Sequence, residues 1–490
     1  GGRLGVAWSS GRGEEHAPTL GWRVEGSDEW TEVDANTSTY SAVDMCGGVA
    51  GGLGWRDPGY VHVAAIEGAP AGVSLDIRLS DDTGATYDAP TALRVPPAPG
   101  SEGTRLALFA DMGRGDTDDA HTWMEYGPPA VNVSAALAAD GPFDASFLSG
   151  DLSYAQGFAS VWDDWLRMIE QFASAAPLLA NLGNHEYDAP AQSWPAGRRR
   201  DLFFGEDSGG ECGVAAAAQV PTPRVGVDQA WWAQAVGNVM IVSMNTEVDF
   251  ACGSAQWRWL QKTLAGINRT ETPWVLFGGH RPGLIDSTYD RAAECCGYGH
   301  VPPHCLAPPD CKLPGEDPSD AGVMASLQKE IGPLLEYYDV DFALWGHNHV
   351  YQRHCAYARG QCVRKSGAGG VYDGSSDVTA GDAGVVHLVV GAAGATLTKN
   401  ACGAAFSEKV HNTWGYVRVV AHNATHLSGE FVEAKAGPGG RVLDTFALVR
   451  PSTPREKPTS RAPYCAGDAC VCDYVEERPE ALIDCIGGGG

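Results

Sequence analysis

Five short apolar runs, LALFADMG, ASFLSGDLSY, PLLANLGNHE, WVLFGGH and FALWGHNH, each end on side chains able to bind a metal ion. Apolar runs of strand length between turn signals read as buried strands. In chain order they deliver Asp111, Asp151 with Tyr154, Asn184, His280, and His347 with His349. In an open α/β sheet the carboxyl ends of the strands are where ligands bind. A chain that sends these donors to its strand ends is constrained to an α/β domain built around a two-metal hydrolytic site.

The intervening sequence supplies helices. FASVWDDWLRMIEQFASA sets Phe158, Trp162, Trp165, Leu166, Ile169 and Phe172 on one helical face. AGVMASLQKEIGPLLEYY reads as a second helix and SAQWRWLQKTLAGI as a third. Strand–helix–strand repetition implies a central sheet covered by helices over residues 103–450. Residues 1–102 differ, with short alternating segments such as GVAWSS, YVHVAAI and VSLDIRLS between turns, the pattern of a small β-sandwich. VPPAPGSEG is the linker. Residues 283–322 and 364–384 read as long loops, and 451–490 as a Pro-rich, cysteine-bearing tail suited to homo-oligomer or extracellular assembly.

A formal charge of -27 on 490 residues describes a solvated acidic surface that repels nucleic acid and anionic membranes. The sequence contains no run long and apolar enough to span a bilayer. It opens at GGRLGVAWSS with neither an initiator Met nor a signal peptide, as expected of a mature or partial product. The 14 cysteines and the sequons at Asn36, Asn132, Asn268 and Asn423 fit a secreted, periplasmic, cell-wall or vacuolar protein. His300 and His304 fall between Cys296 and Cys305 and would suit zinc, but in a secreted Pro/Gly-rich loop disulfides are the expected use.

Two adjacent metal ions need a bridging carboxylate, further O and N donors, and open positions for water and substrate. Asp151 in GDLSY is the natural bridge. Asp111, Tyr154 and His349 would complete one shell, and Asn184, His280 and His347 the other. A phenolate is a hard donor that prefers a trivalent ion such as iron(III).

DMG and GDLSY depart from the DxH and GDxxD of general metallophosphoesterases. With GNHE, GGHRP and GHNH they make the chain resemble the purple acid phosphatases, and DMCGGVAGGLGWRDPGYVH, MNTEVDFACGSAQW and WGYVRVVAHNATHL are similar to the large plant-type members. The resemblance covers roughly residues 1–435 and leaves the tail outside. It implies a fibronectin-III-like N-terminal sandwich and a catalytic domain of two mixed sheets between helices. It also implies iron(III) on Asp111, Asp151, Tyr154 and His349, with a divalent iron, zinc or manganese ion on Asp151, Asn184, His280 and His347. Tyr154 would be the chromophoric ligand.

The implied activity is hydrolysis of phosphate monoesters at acidic pH. Two ions about 3.5–4 Å apart lower the pKa of bound water enough to supply hydroxide for in-line attack. His185, beside Asn184, is the candidate donor of a proton to the leaving group. The smaller plant enzymes carry further histidines where this chain has Tyr289 and Asp290, which leaves His300 and His304 as alternatives from the long loop. Arg281 has two readings, a phosphate contact or a structural ion pair. A nucleotide pyrophosphatase or phosphodiesterase on the same site is the alternative activity, and an extracellular structural protein retaining the fold is the alternative from another class.

Other features have simpler readings. His387, His411, His422 and His426 lie outside the motifs and are expected to be structural. VVGAAGA lacks the lysine of a P-loop and the acidic partner of a dinucleotide site. Ser149 and Ser153 have no paired base, as a nucleophile requires.

Overall fold

Alternation in the first segments resolves into two small sheets. Leu4–Ser10, Tyr60–Ile66 and Asn36–Ser38 form one. Thr31–Asp34, Thr19–Val24, Ser74–Ser80, Thr86–Asp88 and Leu93–Arg94 form the other. Leu20, Ala64, Ile66, Leu75 and Ile77 are buried in their shared core. This is a computed structural model; it describes residues 3–11, 17–80, 85–88, 92–113, 128–187, 207–222, 229–286, 320–376, 379–398, 403–434, 440–458, 462–466 and 469–471.

The DMCGGVAGGLGW segment leaves this sandwich and packs on the larger body. Cys46 is disulfide-bonded to Cys212. The amides of Cys46 and Ala50 donate to the carbonyls of Gly210 and Gly209, and the Ala159 amide donates to the Gly54 carbonyl. The segment therefore braces the start of the Ala159–Ala173 helix, directly after the Tyr154 loop.

The larger body is two mixed sheets face to face. The first has Leu178–Asn181, Ala145–Ser149 and Thr104–Phe109 in parallel at one end, continued by Gly415–Ala421, His426–Glu433, Arg441–Val449 and Val371–Asp373. The second contains Val239–Ser243, Trp274–Gly278, Phe342–Trp345 and Val385–Val390 in parallel, with Trp232–Val236, Tyr351–Ala358, Gln361–Arg364 and Ser407–His411 antiparallel. Leu106, Phe147, Trp232, Leu276, Leu344, Leu388, Phe431 and Phe446 fill the space between them. Sheets buried on both faces need unbroken apolar strands, which is why the motif strands are continuous apolar runs.

Helices cover the outer faces. Ala159–Ala173 buries Val161, Trp162, Trp165, Ile169 and Phe172 against the first sheet. Ala255–Ala265, capped by Ser254 Oγ accepting from the Trp257 amide, covers the second with Trp257, Leu260 and Leu264. The helix expected across residues 321–338 is two helices, Asp320–Glu330 and Gly332–Tyr337. Pro333, which has no amide hydrogen, sits in the first turn of the second helix, where none is needed.

The expected 364–384 loop is also corrected. Val371–Asp373 is an edge strand paired in parallel with Arg441–Val449, and Ala380–Ala383 is a helical turn. The expected 283–322 loop lies largely outside the described residues, as do Tyr289, Asp290, His300, His304 and the cysteines at 295, 296, 305, 311, 472 and 485. Tail residues dock on the body: Cys465 is disulfide-bonded to Cys252, and Arg455 pairs with buried Asp339 at 2.8 Å. Among the described residues, no helix is long and apolar enough to cross a membrane.

Candidate metal centre

The five motif strands finish two or three residues before their polar side chains, so the donors lie on the loops at the strands' carboxyl ends. These loops turn sharply. Asp111, Asp151, Tyr154 and His347 all have positive φ, at 60°, 52°, 53° and 69°. Left-handed backbone is uncommon for residues with a Cβ, and such strain is retained where surrounding structure overrides it. Glycines in the motifs have a packing cause: a Cβ on Gly183 would lie 2.2 Å from Asp151 Oδ1, and one on Gly150 2.4 Å from His280 Nδ1.

Asp151, His280 and His347 form one cluster of metal-competent atoms, and Asp111, Asp151 and His349 form another. Asp151 belongs to both. Asn184 Oδ1 joins the first cluster, 3.0 Å from His280 Nε2 and 3.0 Å from His347 Nδ1. Asn184 Nδ2 donates to Asp207 at 3.0 Å, which turns the amide oxygen inward. The Tyr154 hydroxyl joins the second, 3.1 Å from Asp111 Oδ1 and 2.8 Å from His349 Nε2. All seven residues named as donors are therefore brought to one place, and all except His347 are buried.

The imidazole contacts fit a cation. His280 Nδ1 lies 2.9 Å from the Ser149 carbonyl and His349 Nδ1 2.7 Å from the Thr396 carbonyl, so each donates its proton there. In a neutral ring the opposite nitrogen is then a lone pair. At His280 that lone pair faces Asp151 Oδ2 at 3.2 Å as well as Asn184 Oδ1, and at His349 it faces Asp111 Oδ1 at 3.5 Å as well as Tyr154. Acceptors converging on acceptors are reconciled by a positive charge between them. Outward N–H groups fixed by carbonyls are the usual support of metal-binding imidazoles.

The electrostatics agree. Burial opposes charge on His280, but Asp151, Asp111 and Glu247 push the ring up to about 10, so a proton stands in for the cation. Burial likewise opposes charge on Asp151, yet His280, His185 and His347 hold it well below the usual carboxylate range.

Glu186 is the part of the site that motif reading missed. Its buried carboxylate accepts from the amides of Asp151 at 2.9 Å, Leu152 at 2.7 Å and Gly183 at 3.0 Å. It thus ties the Asp151 loop to the Asn184 loop. Burial and the nearby Asp151 push its carboxyl up, against the amides of Gly183 and Leu152 and the charge of His280. The signal was present in GNHE, where the last residue is an acid with no ligand role assigned.

His185 lies beside the shared carboxylate. Its amide donates to Asp151 Oδ1 at 3.0 Å, its Nε2 is 4.0 Å from Asp151 Oδ2, and its ring packs on Tyr154 with centroids 4.2 Å apart. Arg281 takes up an ion pair, with Nε 3.0 Å from both oxygens of Glu247, while its Nη1 reaches to 3.4 Å from His347 Nε2. His387 is buried and neutral, accepting from Trp345 Nε1 at 2.9 Å. VVGAAGA packs behind the site, with Ala395 donating to the Asp111 carbonyl.

Comparison with known proteins agrees with this geometry. Residues 104–351 match the calcineurin-like phosphoesterase family model, and residues 384–445 match that of the iron/zinc purple acid phosphatase-like protein C. The probable inactive purple acid phosphatase 27 of Arabidopsis thaliana is 30% identical over 91% of this chain and 67% of its own length. A nucleotide pyrophosphatase/phosphodiesterase of Hordeum vulgare is 27% identical over 76% of this chain and 90% of its own. The solved purple acid phosphatase PPD1 of yellow lupin (Lupinus luteus) superposes with a TM-score of 0.75, at 26% identity over 94% of this chain and 76% of its own. The chain belongs to the purple acid phosphatase family of calcineurin-like phosphoesterases.

Proposed function

We propose that the chain hydrolyses phosphate monoesters in acidic solution with a dinuclear centre of iron(III) and a divalent iron, zinc or manganese ion. The observation that carries this reading is the sharing of Asp151 by two donor clusters, one of which has the Tyr154 hydroxyl against it. Asp111, Asp151, Tyr154 and His349 would hold the iron, and Asp151, Asn184, His280 and His347 the divalent ion. When bound, such a pair supplies a nucleophile from water and neutralises charge on the phosphoryl oxygens.

The protein's own part is to hold the donors and manage protons. The Ser149 and Thr396 carbonyls fix the tautomers of His280 and His349, and Glu186 fixes the backbone of Asp151. His185 is the acid that protonates the leaving oxygen.

The second reading, a nucleotide pyrophosphatase or phosphodiesterase, is favoured by the barley relative's name. The third, an extracellular structural protein without activity, is raised by the Arabidopsis names. Against it stands the complete donor set. At equal metal loading, an aryl monoester should turn over at least tenfold faster than the matching diester. The reverse ratio would favour the second reading, and no turnover of either the third.

The disulfides Cys46–Cys212, Cys252–Cys465 and Cys355–Cys362 support an oxidising compartment and hence secretion. Asn36 and Asn268 are exposed and Asn132 and Asn423 half-buried; all four are proposed glycan acceptors. The two-sheet N-terminal region suits a fibronectin-III-like module.

A further inference from the structure

Arg281 sits at the rim of the first donor cluster, and its surroundings divide its guanidinium into two ends. Glu247 engages Nε through both carboxylate oxygens at 3.0 Å. Thr246 Oγ donates to Glu247 Oε1 at 2.8 Å and accepts from the Arg281 amide at 3.1 Å, so the acid and the arginine backbone share one anchor. Arg281 and Glu247 are both buried, and their ion pair fixes the plane of the guanidinium. The other end is directed at His347, with Nη1 3.4 Å from Nε2.

That contact depends on where His347 carries its proton. With Nδ1 protonated, Nδ1–H donates to Asn184 Oδ1 at 3.0 Å and Nε2 is the acceptor for Arg281. Nδ1 is also the nitrogen that faces Asn184 Oδ1, which belongs with one of the two donor clusters. A neutral imidazole that gives its Nδ1 lone pair to a cation carries its single proton on Nε2. The proton leaves Nδ1 and one is gained at Nε2, with no net change in the ring. Nε2–H and Nη1–H are then two donors facing each other, and the hydrogen bond between them is lost.

We propose that Arg281 is a phosphate-binding residue whose Nη1 edge, beside His347, is turned to the substrate phosphate when the site is loaded. Glu247 is its positioning partner. An arginine fork recognises phosphate oxygens through paired N–H groups, and Glu247 keeps the side chain in place while the acceptor at the other end changes. The inference rests on the phosphatase reading above.

The test is titration of inorganic phosphate into metal-loaded protein by calorimetry, with metal content measured on the same samples and KM and kcat for a monoester. Arg281→Gln should keep two metal ions per chain and bind phosphate about tenfold or more weakly. KM should rise more than kcat falls, and Arg281→Lys, which keeps a point charge, should lie between. Unchanged phosphate affinity in Arg281→Gln with both metals bound overturns the proposal. Loss of one metal from that variant also overturns it, because Arg281 would then act by holding His347. If Arg281→Gln does not fold, Arg281→Lys decides: weaker phosphate binding supports the proposal, and wild-type binding ends it. Wild-type protein that takes up two metals yet binds no phosphate would instead overturn the phosphatase reading itself.

Discussion

His280 Nε2 lies 3.2 Å from Asp151 Oδ2, and its Nδ1 is held 2.9 Å from the Ser149 carbonyl. The ring therefore directs its Nε2 at a carboxylate that also belongs to the cluster of Asp111 and His349. One acid serves two sites, and this sets apart the effect of its removal from that of its neighbours.

Asp151→Ala should lower metal content by more than one ion per chain and activity by at least about 100-fold. Asp111→Asn, which touches only one cluster, should cost at most one. Element analysis of dialysed protein measures both. Equal losses from the two variants would mean that Asp151 is not the bridge.

Glu186→Gln should destabilise the fold by about 1–3 kcal/mol, because a side-chain amide directs an N–H at one of the three backbone donors now held by the carboxylate. It should also weaken metal binding roughly 10–100-fold, the usual effect of losing a group that orients ligands. Thermal melts with and without metal separate the two effects.

His185→Ala should leave both metals bound and lower kcat for an ester with a poor leaving group roughly 100-fold, within the usual contribution of a general acid. An activated aryl ester, whose leaving group needs no proton, should be affected less. Equal losses on both substrates would remove the proton-donor role.

Stability should fall as pH rises from about 4.5 to 8, through Glu211. Burial pushes its carboxyl from 4.5 up to about 8, although Trp162 Nε1 and the Gly157 amide each donate to it at 3.0 Å. The folded chain thus holds a proton that the unfolded chain has released across this window. Its contribution is complete below 4.5 and is lost as pH passes 8. Glu211→Gln, neutral throughout, should flatten the denaturant-measured profile; an unchanged slope would assign it to other groups.

The donors were legible because each closes an apolar run, and the Ala159–Ala173 helix because its tryptophans repeat at helical spacing. Less was legible where the cause lies far away in the chain. Glu186 stands in a quoted motif, but its work is done on amides contributed partly by another strand's loop. Thr396 acts through a backbone carbonyl, which no side-chain pattern reveals. Val371–Asp373 lies in a Gly/Ser/Asp-rich stretch and is a strand only because Arg441–Val449 offers it an edge. Cys465 looked like part of a local tail cluster, yet its partner is Cys252, 213 positions away.

The most direct test of the central claim is the visible absorption of iron-loaded protein, read together with metal content, for the wild type and Tyr154→Phe. A tyrosinate on iron(III) should give the wild type a visible charge-transfer band at two metals per chain, and Tyr154→Phe should lose that band while retaining bound metal. A colourless wild type that holds one metal or none despite iron supply, or a band that survives in Tyr154→Phe, would contradict it.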